Sequence, residues 1–177
     1  MTDYGLLAKQ IVSLAEIDAH WLPVLSNAAA LLWDALDDIN WVGFYLVDPV
    51  TVSGAEPSTE PSATPSAHEP CTPELRLGPF QGKVACVRIP FGRGVCGTAA
   101  ETKISQLVED VHQFPGHIAC DSASNSEVVV PIFKDDQVVG VLDIDSPNVA
   151  RFTQEDLAGL EQVVKALESC TNFSAFC

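Results

Sequence analysis

The sequence predicts an α+β fold in which a central antiparallel β-sheet is flanked by N- and C-terminal helices. Three observations carry this expectation. Apolar residues recur at helical spacing in two early segments and one late one, while the middle of the chain reads as strands. The order, ααββ(β)αβ…ββα, lacks the β–α alternation that a doubly wound parallel sheet requires. Glu127–Phe133 and Val138–Asp145 are separated only by Lys134-Asp135-Asp136-Gln137, which suits a hairpin and hence an antiparallel pair.

Taken in order, Tyr4–Ile17 places Leu6, Leu7, Ile11 and Leu14 at helical spacing, and Trp21–Leu36 does so through Leu25, Ala28, Leu31, Leu32 and Ala35. Two helices are expected within residues 4–38, separated near Asp18 and ended by Asp37-Asp38. Asn40–Val47 is aromatic and β-rich, a strand. From about 49 to 73 the composition turns to repeated Pro, Ser, Thr and Glu, which reads as a solvated loop insertion with Cys71 as a bystander. Leu75–Phe80 and Val84–Pro90 follow as strands around Gln81-Gly82-Lys83. A Gly-rich turn leads into a short helix, Gly97–Thr102, and then a small strand, Ile104–Val108. A long loop, 109–125, holds His112, His117 and Cys120. After the hairpin, Thr153 is the expected N-cap of a last helix running to about Glu168, with acids in its first turn.

A length of 177 residues fits a single domain, 1–177, with the insertion as its embellishment. With 24 acidic and 9 basic residues the net charge is -15, which disfavours nucleic acid and anionic membranes and leaves room for a cationic ligand. No apolar run approaches the ~18 residues of a membrane span and no export signal is read, so a cytoplasmic setting is expected. In that reducing compartment six cysteines point to catalysis or metal rather than to a disulfide scaffold.

Cys86, Cys96 and Cys120 follow one another at C-x9-C-x23-C spacing. Cys96, beside a helix N-terminus and near Arg93, is expected to have its thiolate favoured by the dipole and the charge. Cys120 lies in a polar loop, Gly116-His117-Ile118-Ala119-Cys120-Asp121. Cys86, within Val84–Ile89, taken alone fits a small buried hydrophobe, and Cys170 and Cys177 fit a tail. Thiol redox chemistry is the reading these residues favour. A zinc set of Cys96, Cys120, His112 and His117 contains one close pair, His117-x-x-Cys120, and is weak. Arg93 between Gly92 and Gly94 lacks the setting of a phosphate loop, and neither metal nor cofactor is called for. His20 and His68 are expected to be exposed.

Asp143 and Asp145 lie two apart on a strand and so project to one side. If Glu127 on the partner strand shares that side, three carboxylates converge and repel unless a cation intervenes or one holds a proton. The functional reading is a pocket for an ammonium group with one acid able to donate; the bland one is a solvent-facing sheet edge.

Six segments in order extend these readings: Asn40-Trp41-Val42-Gly43-Phe44-Tyr45, Leu77-Gly78-Pro79-Phe80-Gln81-Gly82-Lys83, Cys86-Val87-Arg88-Ile89-Pro90, Gly92-Arg93-Gly94-Val95-Cys96-Gly97, Gly116-His117-Ile118-Ala119-Cys120-Asp121 and Gly140-Val141-Leu142-Asp143-Ile144-Asp145-Ser146. Together they closely resemble the free methionine-R-sulfoxide reductases, a single-GAF-domain family, over roughly residues 40–167. The resemblance implies a GAF fold and reduction of free methionine-R-sulfoxide. Position by position, it implies Cys120 as catalytic cysteine, Cys96 and Cys86 as resolving cysteines, and Glu127, Asp143 and Asp145 as the substrate-binding carboxylates. Trp41 and Tyr45 match aromatic residues around the pocket, a softer transfer. The insertion and the tail beyond Glu168 fall outside the family pattern.

The chemistry this implies is thiolate attack on the sulfoxide sulfur while an acid protonates its oxygen, leaving a Cys120 sulfenic acid. Cys96 or Cys86 would condense with it, and thioredoxin would reopen the disulfide. The alternatives are a GAF sensor that binds a small molecule without turnover and a thiol redox switch. A cyclic-nucleotide sensor is the weaker relative, since Asn148 lacks the lysine of that signature. GAF domains often pair, so the resemblance admits a homodimer, though no residue here specifies an interface.

Overall fold

The computed structural model describes residues 2–47, 73–116 and 123–173. Four helices, α1 (Tyr4–Ala15), α2 (Trp21–Ala35), α3 (Gly94–Thr102) and α4 (Gln154–Cys170), accompany six strands. These are β1 (Trp41–Val47), β2 (Glu74–Gly82), β3 (Arg88–Pro90), β4 (Gln106–Val108), β5 (Ser126–Lys134) and β6 (Gln137–Ser146). They form one sheet in the order β3-β2-β1-β6-β5-β4, with every neighbouring pair antiparallel. The α+β expectation holds. Asp135 and Asp136 take φ of 49° and 61°, the left-handed pair that a two-residue hairpin turn requires between β5 and β6.

The two sheet faces bury different partners because strand side chains alternate. Val42, Phe44 and Leu46 of β1, Val128, Val130 and Ile132 of β5, and Leu142 and Ile144 of β6 meet the helices α1, α2 and α4 in the main core. Trp41, Tyr45, Val129 and Val141 point the other way, into a second layer with Val95, Cys96, Ala99 and Ala100 of α3. The helix side is tied together by Tyr4, whose hydroxyl donates to Asp156 Oδ1 at 2.6 Å, while Asp156 completes a capping box with Thr153. Burial pushes the Asp156 carboxyl up, but hydrogen bonds from Tyr4 and Thr153 and the Arg151 charge hold it below its ordinary value.

Two expectations are corrected. The strand expected over Val84–Pro90 contracts to Arg88–Pro90. The Lys83 carbonyl accepts the Trp41 indole N–H at 3.1 Å and the Val87 carbonyl accepts the Leu77 N–H at 3.0 Å. Val84 and Val87 are exposed while Ala85 and Cys86 turn inward, so the alternation of a strand is lost and Cys86 sits in a loop. The short helix begins at Gly94, before Gly97. Gly92 and Gly94 take φ of 75° and 62°, a turn that suits glycine, and the Gly97 N–H already bonds the Arg93 carbonyl at 3.1 Å. Cys96 is therefore inside the first turn. The Pro/Ser-rich stretch, except Pro73, lies outside the described residues. Among the described residues no helix is long and apolar enough to cross a membrane.

Candidate active site

Strands β1, β5 and β6 make the floor of the site. Trp41 stands opposite Asp145 and Gly43 opposite Asp143 across β1 and β6, and Glu127 stands opposite Asp145 across β5 and β6. Opposed residues of an antiparallel pair share a face, so Trp41, Tyr45, Glu127, Asp143 and Asp145 project together. α3 covers that face and brings Cys96. Glu127 and Asp143 are each 6% exposed and Cys96 3%; Asp145 is half-buried. Cys96 Sγ lies 3.9 Å from Glu127 Oε1. One donor atom each from Cys96, Glu127 and Asp143 all fall within 4.8 Å of one another, a set that could also hold a metal ion. A solvent-facing sheet edge does not describe Glu127 and Asp143.

Two carboxyl groups this close in a buried site do not both ionise near neutral pH. Burial, then the charges of Asp143 and Asp145, push the Glu127 carboxyl well above its ordinary range. Burial also raises Asp143, but hydrogen bonds from Cys96 and Glu127 limit the rise, to about 6. The arrangement is a protonated Glu127 donating to an Asp143 carboxylate. Asp143 Oδ1 is buried and has no hydrogen-bond partner among the described residues. A buried anionic oxygen left unpaired is costly, and a bound ammonium group would satisfy it.

Cys96 departs from its expectation. Burial, then the negative charge of Asp143, push its thiol well above the ordinary value, so it is a neutral S–H. The helix N-terminus contributes roughly 0.3–1 kcal/mol to an anion, which burial among acids outweighs. Arg93 is exposed.

An aromatic wall borders the acids. Trp41 stacks on Phe80 (centroids 5.4 Å apart, planes at 15°) and on Tyr45 (5.8 Å, 24°). Gly43 makes this possible: a methyl group there would overlap Phe80 Cβ and come within 2.6 Å of the Trp41 ring. Burial, then Asp143, hold the Tyr45 phenol above its ordinary value, so it keeps its proton. Sequence reasoning missed Phe80; the signal was a glycine amid bulky residues of β1, which marks a close approach. It also missed Asn40, whose Nδ2 donates to the buried Ser124 Oγ at 3.1 Å and whose backbone N–H bonds the Asp145 carbonyl at 3.0 Å.

Cys86 is half-buried against the same second layer and is disulfide-bonded, whereas Cys96 and Cys170 are free thiols. Cys120, His117, His68, Cys71 and Cys177 lie outside the described residues. His112 is exposed and pairs through Nε2 with Asn125 Oδ1 at 3.1 Å, and His20 is exposed as the N-cap of α2.

The GAF domain family model matches residues 33–169. The chain is 48% identical over 165 residues to the free methionine-R-sulfoxide reductase of Escherichia coli (strain K12), covering 93% of this chain and 86% of that one. It is 50% identical to the reduced form of the Staphylococcus aureus fRMsr structure, with a TM-score of 0.80 and 97% of each chain covered. The Neisseria meningitidis free methionine-R-sulfoxide reductase, solved in complex with its substrate, is 42% identical with a TM-score of 0.78, covering 94% of this chain and 86% of that one. With the GAF match spanning most of the chain, and acids, aromatic wall and thiol gathered on one sheet face, this protein belongs to the GAF-domain free methionine-R-sulfoxide reductases.

Proposed function

We propose that this protein reduces free methionine-R-sulfoxide to methionine, using a cysteine nucleophile and a buried carboxylic acid. The observation that carries the reading is the buried Glu127–Asp143 pair, with Asp143 Oδ1 lacking a hydrogen-bond partner among the described residues and the Glu127 carboxyl pushed well above its ordinary range. Asp143, assisted by Asp145, receives the substrate ammonium; a peptide nitrogen carries no charge and gains nothing there. Trp41, Phe80 and Tyr45 offer apolar surface to the S-methyl end. The Cys120 thiolate attacks the sulfoxide sulfur while Glu127 protonates the oxygen. The oxygen passes to Cys120 as a sulfenic acid and methionine leaves.

A resolving thiol then displaces water and forms a disulfide, which thioredoxin reduces. Cys86 suits the resolving role better than Cys96: it is already in a disulfide and lies in a half-buried loop, whereas the Cys96 thiolate is strongly disfavoured.

The test is NADPH consumption through thioredoxin reductase and thioredoxin, comparing the R and S epimers of free methionine sulfoxide. Sustained turnover of the R epimer, abolished by Cys120→Ser, is expected. No turnover of either epimer by folded protein with a working donor would sink the proposal and favour a ligand-binding GAF sensor or a redox switch.

A further inference from the structure

The stretch Leu75 to Ala100 holds Arg76, Lys83, Arg88 and Arg93 and no Asp or Glu, in a chain with 24 acidic and 9 basic residues. All four cations are exposed. Arg76 and Arg88 stand directly opposite each other across β2 and β3, an arrangement of like charges that costs stability. Glu74 answers Arg88 at 3.2 Å. Among the described residues β3 is an edge strand of the sheet. The loop leading into it exposes Val84 at 88% and Val87 at 67%, on either side of the disulfide-bonded Cys86. A lone exposed valine needs no explanation. Two of them flanking a disulfide-bonded sulfur, within the longest stretch free of acids, do.

We propose that loop 83–87 and the edge strand β3 form the docking surface for the protein dithiol that re-reduces this enzyme, and that the donor presents an apolar, acidic face. The inference rests on the thiol cycle proposed above. Charge selects this surface, because an acidic protein is repelled elsewhere by a chain of net charge -15 and attracted here. The valines supply apolar contact beside the reacting sulfur. The donor thiolate attacks Cys86 Sγ, the existing disulfide breaks, and the sulfur bound to Cys86 leaves as a thiolate and takes up a proton. The donor's second thiol then attacks its own sulfur in the mixed disulfide and releases Cys86. Two electrons move: one enzyme disulfide becomes two thiols, and the donor dithiol becomes a disulfide.

The test compares unmodified protein with a Val84→Asp, Val87→Asp, Arg88→Glu variant, using thioredoxin or dithiothreitol as reductant. The variant should lose about tenfold or more in kcat/KM for thioredoxin, and keep its dithiothreitol-driven kcat and its KM for methionine-R-sulfoxide. Added salt should slow the thioredoxin-driven rate of the unmodified protein and leave the dithiothreitol-driven rate unchanged. Equal thioredoxin efficiency in variant and unmodified protein would overturn the proposal. If the variant instead weakens with both donors, the single exchange Arg93→Glu, outside the loop, decides by the same thioredoxin-selective loss or its absence. A thioredoxin lacking its second thiol gives a readout independent of turnover. It should trap a mixed disulfide on Cys86 of the oxidised protein, and far less on the variant; equal trapping counts against the surface even if the sulfoxide reading itself fails.

Discussion

Glu127 keeps its proton because its neighbours leave it nothing better to do: it is buried, faces the charges of Asp143 and Asp145, and can share its hydrogen with Asp143. Glu127→Gln preserves shape and removes the acid, so kcat should fall by about 10²–10⁴ with KM for the sulfoxide little changed. A kcat within a few-fold of the unmodified value would remove Glu127 from the acid role. Because only the protonated form donates, kcat of the unmodified protein should decline as pH rises through the raised Glu127 pKa. Asp143→Asn should act on binding: KM for free methionine-R-sulfoxide rises, and the preference over its N-acetyl derivative collapses. An unchanged preference would detach the ammonium from Asp143. Cys96 makes a different point about the same residues. Its thiolate is disfavoured by burial and by the charge of Asp143, so after one oxidising turnover, mass spectrometry of the alkylated, unfolded protein should find Cys96 still reduced and Cys86 linked to Cys120. A Cys96–Cys120 link would reverse that assignment.

At the scale of elements, what could be read from the sequence was whatever is decided locally. Thr153 as N-cap, the period of α1 and α2, and the hairpin across Asp135-Asp136 depend on neighbours a few residues away, and each stands where it was expected. The i, i+2 rule likewise placed Asp143 and Asp145 on one face, while the side taken by Glu127 waited on the β5–β6 register, which sets it opposite Asp145. Loop 83–87 escaped because its path depends on Trp41, whose indole N–H takes the Lys83 carbonyl from 42 residues away. The state of Cys96 escaped for the same reason: helix position is local, but what opposes ionisation is burial and then the charge of Asp143 on the distant strand β6. Gly43 shows how such distant contacts enter β1. Gly43→Ala should drive a methyl into Phe80 and Trp41, costing about 1–3 kcal/mol as overpacking does. The lost Trp41–Phe80 stack should appear as a lower Tm together with a changed tryptophan fluorescence spectrum. A Tm and spectrum equal to the unmodified protein's would mean the strand shifts freely and the stack is not held by that contact.

Across the whole molecule, groups with opposite shifts set how stability follows pH. Asp143 is raised to about 6 in the folded protein against an ordinary value near 3.9 unfolded. Folding therefore binds its proton more tightly, and its contribution is full below about pH 4 and lost as pH rises through 6. Glu127, raised further, has the same sign over a higher range. Asp156, held below its ordinary value, has the opposite sign: its contribution is present above about pH 4 and lost in stronger acid. A net charge of -15 adds self-repulsion that protonation relieves. Ligand-free protein should therefore melt at a higher temperature at pH 5 than at pH 8, and the double variant Glu127→Gln, Asp143→Asn should flatten much of that difference. On the proposed binding mode, in which the ammonium pairs with the ionised Asp143, methionine should restore part of what is lost, because a ligand stabilises the state that binds it. The rise in Tm on adding methionine should then be larger at pH 8 than at pH 5, and absent from the double variant. Calorimetry on the two proteins at both pH values decides it: parallel curves for variant and unmodified protein would mean that the buried acids do not control the stability of this fold, and that the ammonium is held elsewhere.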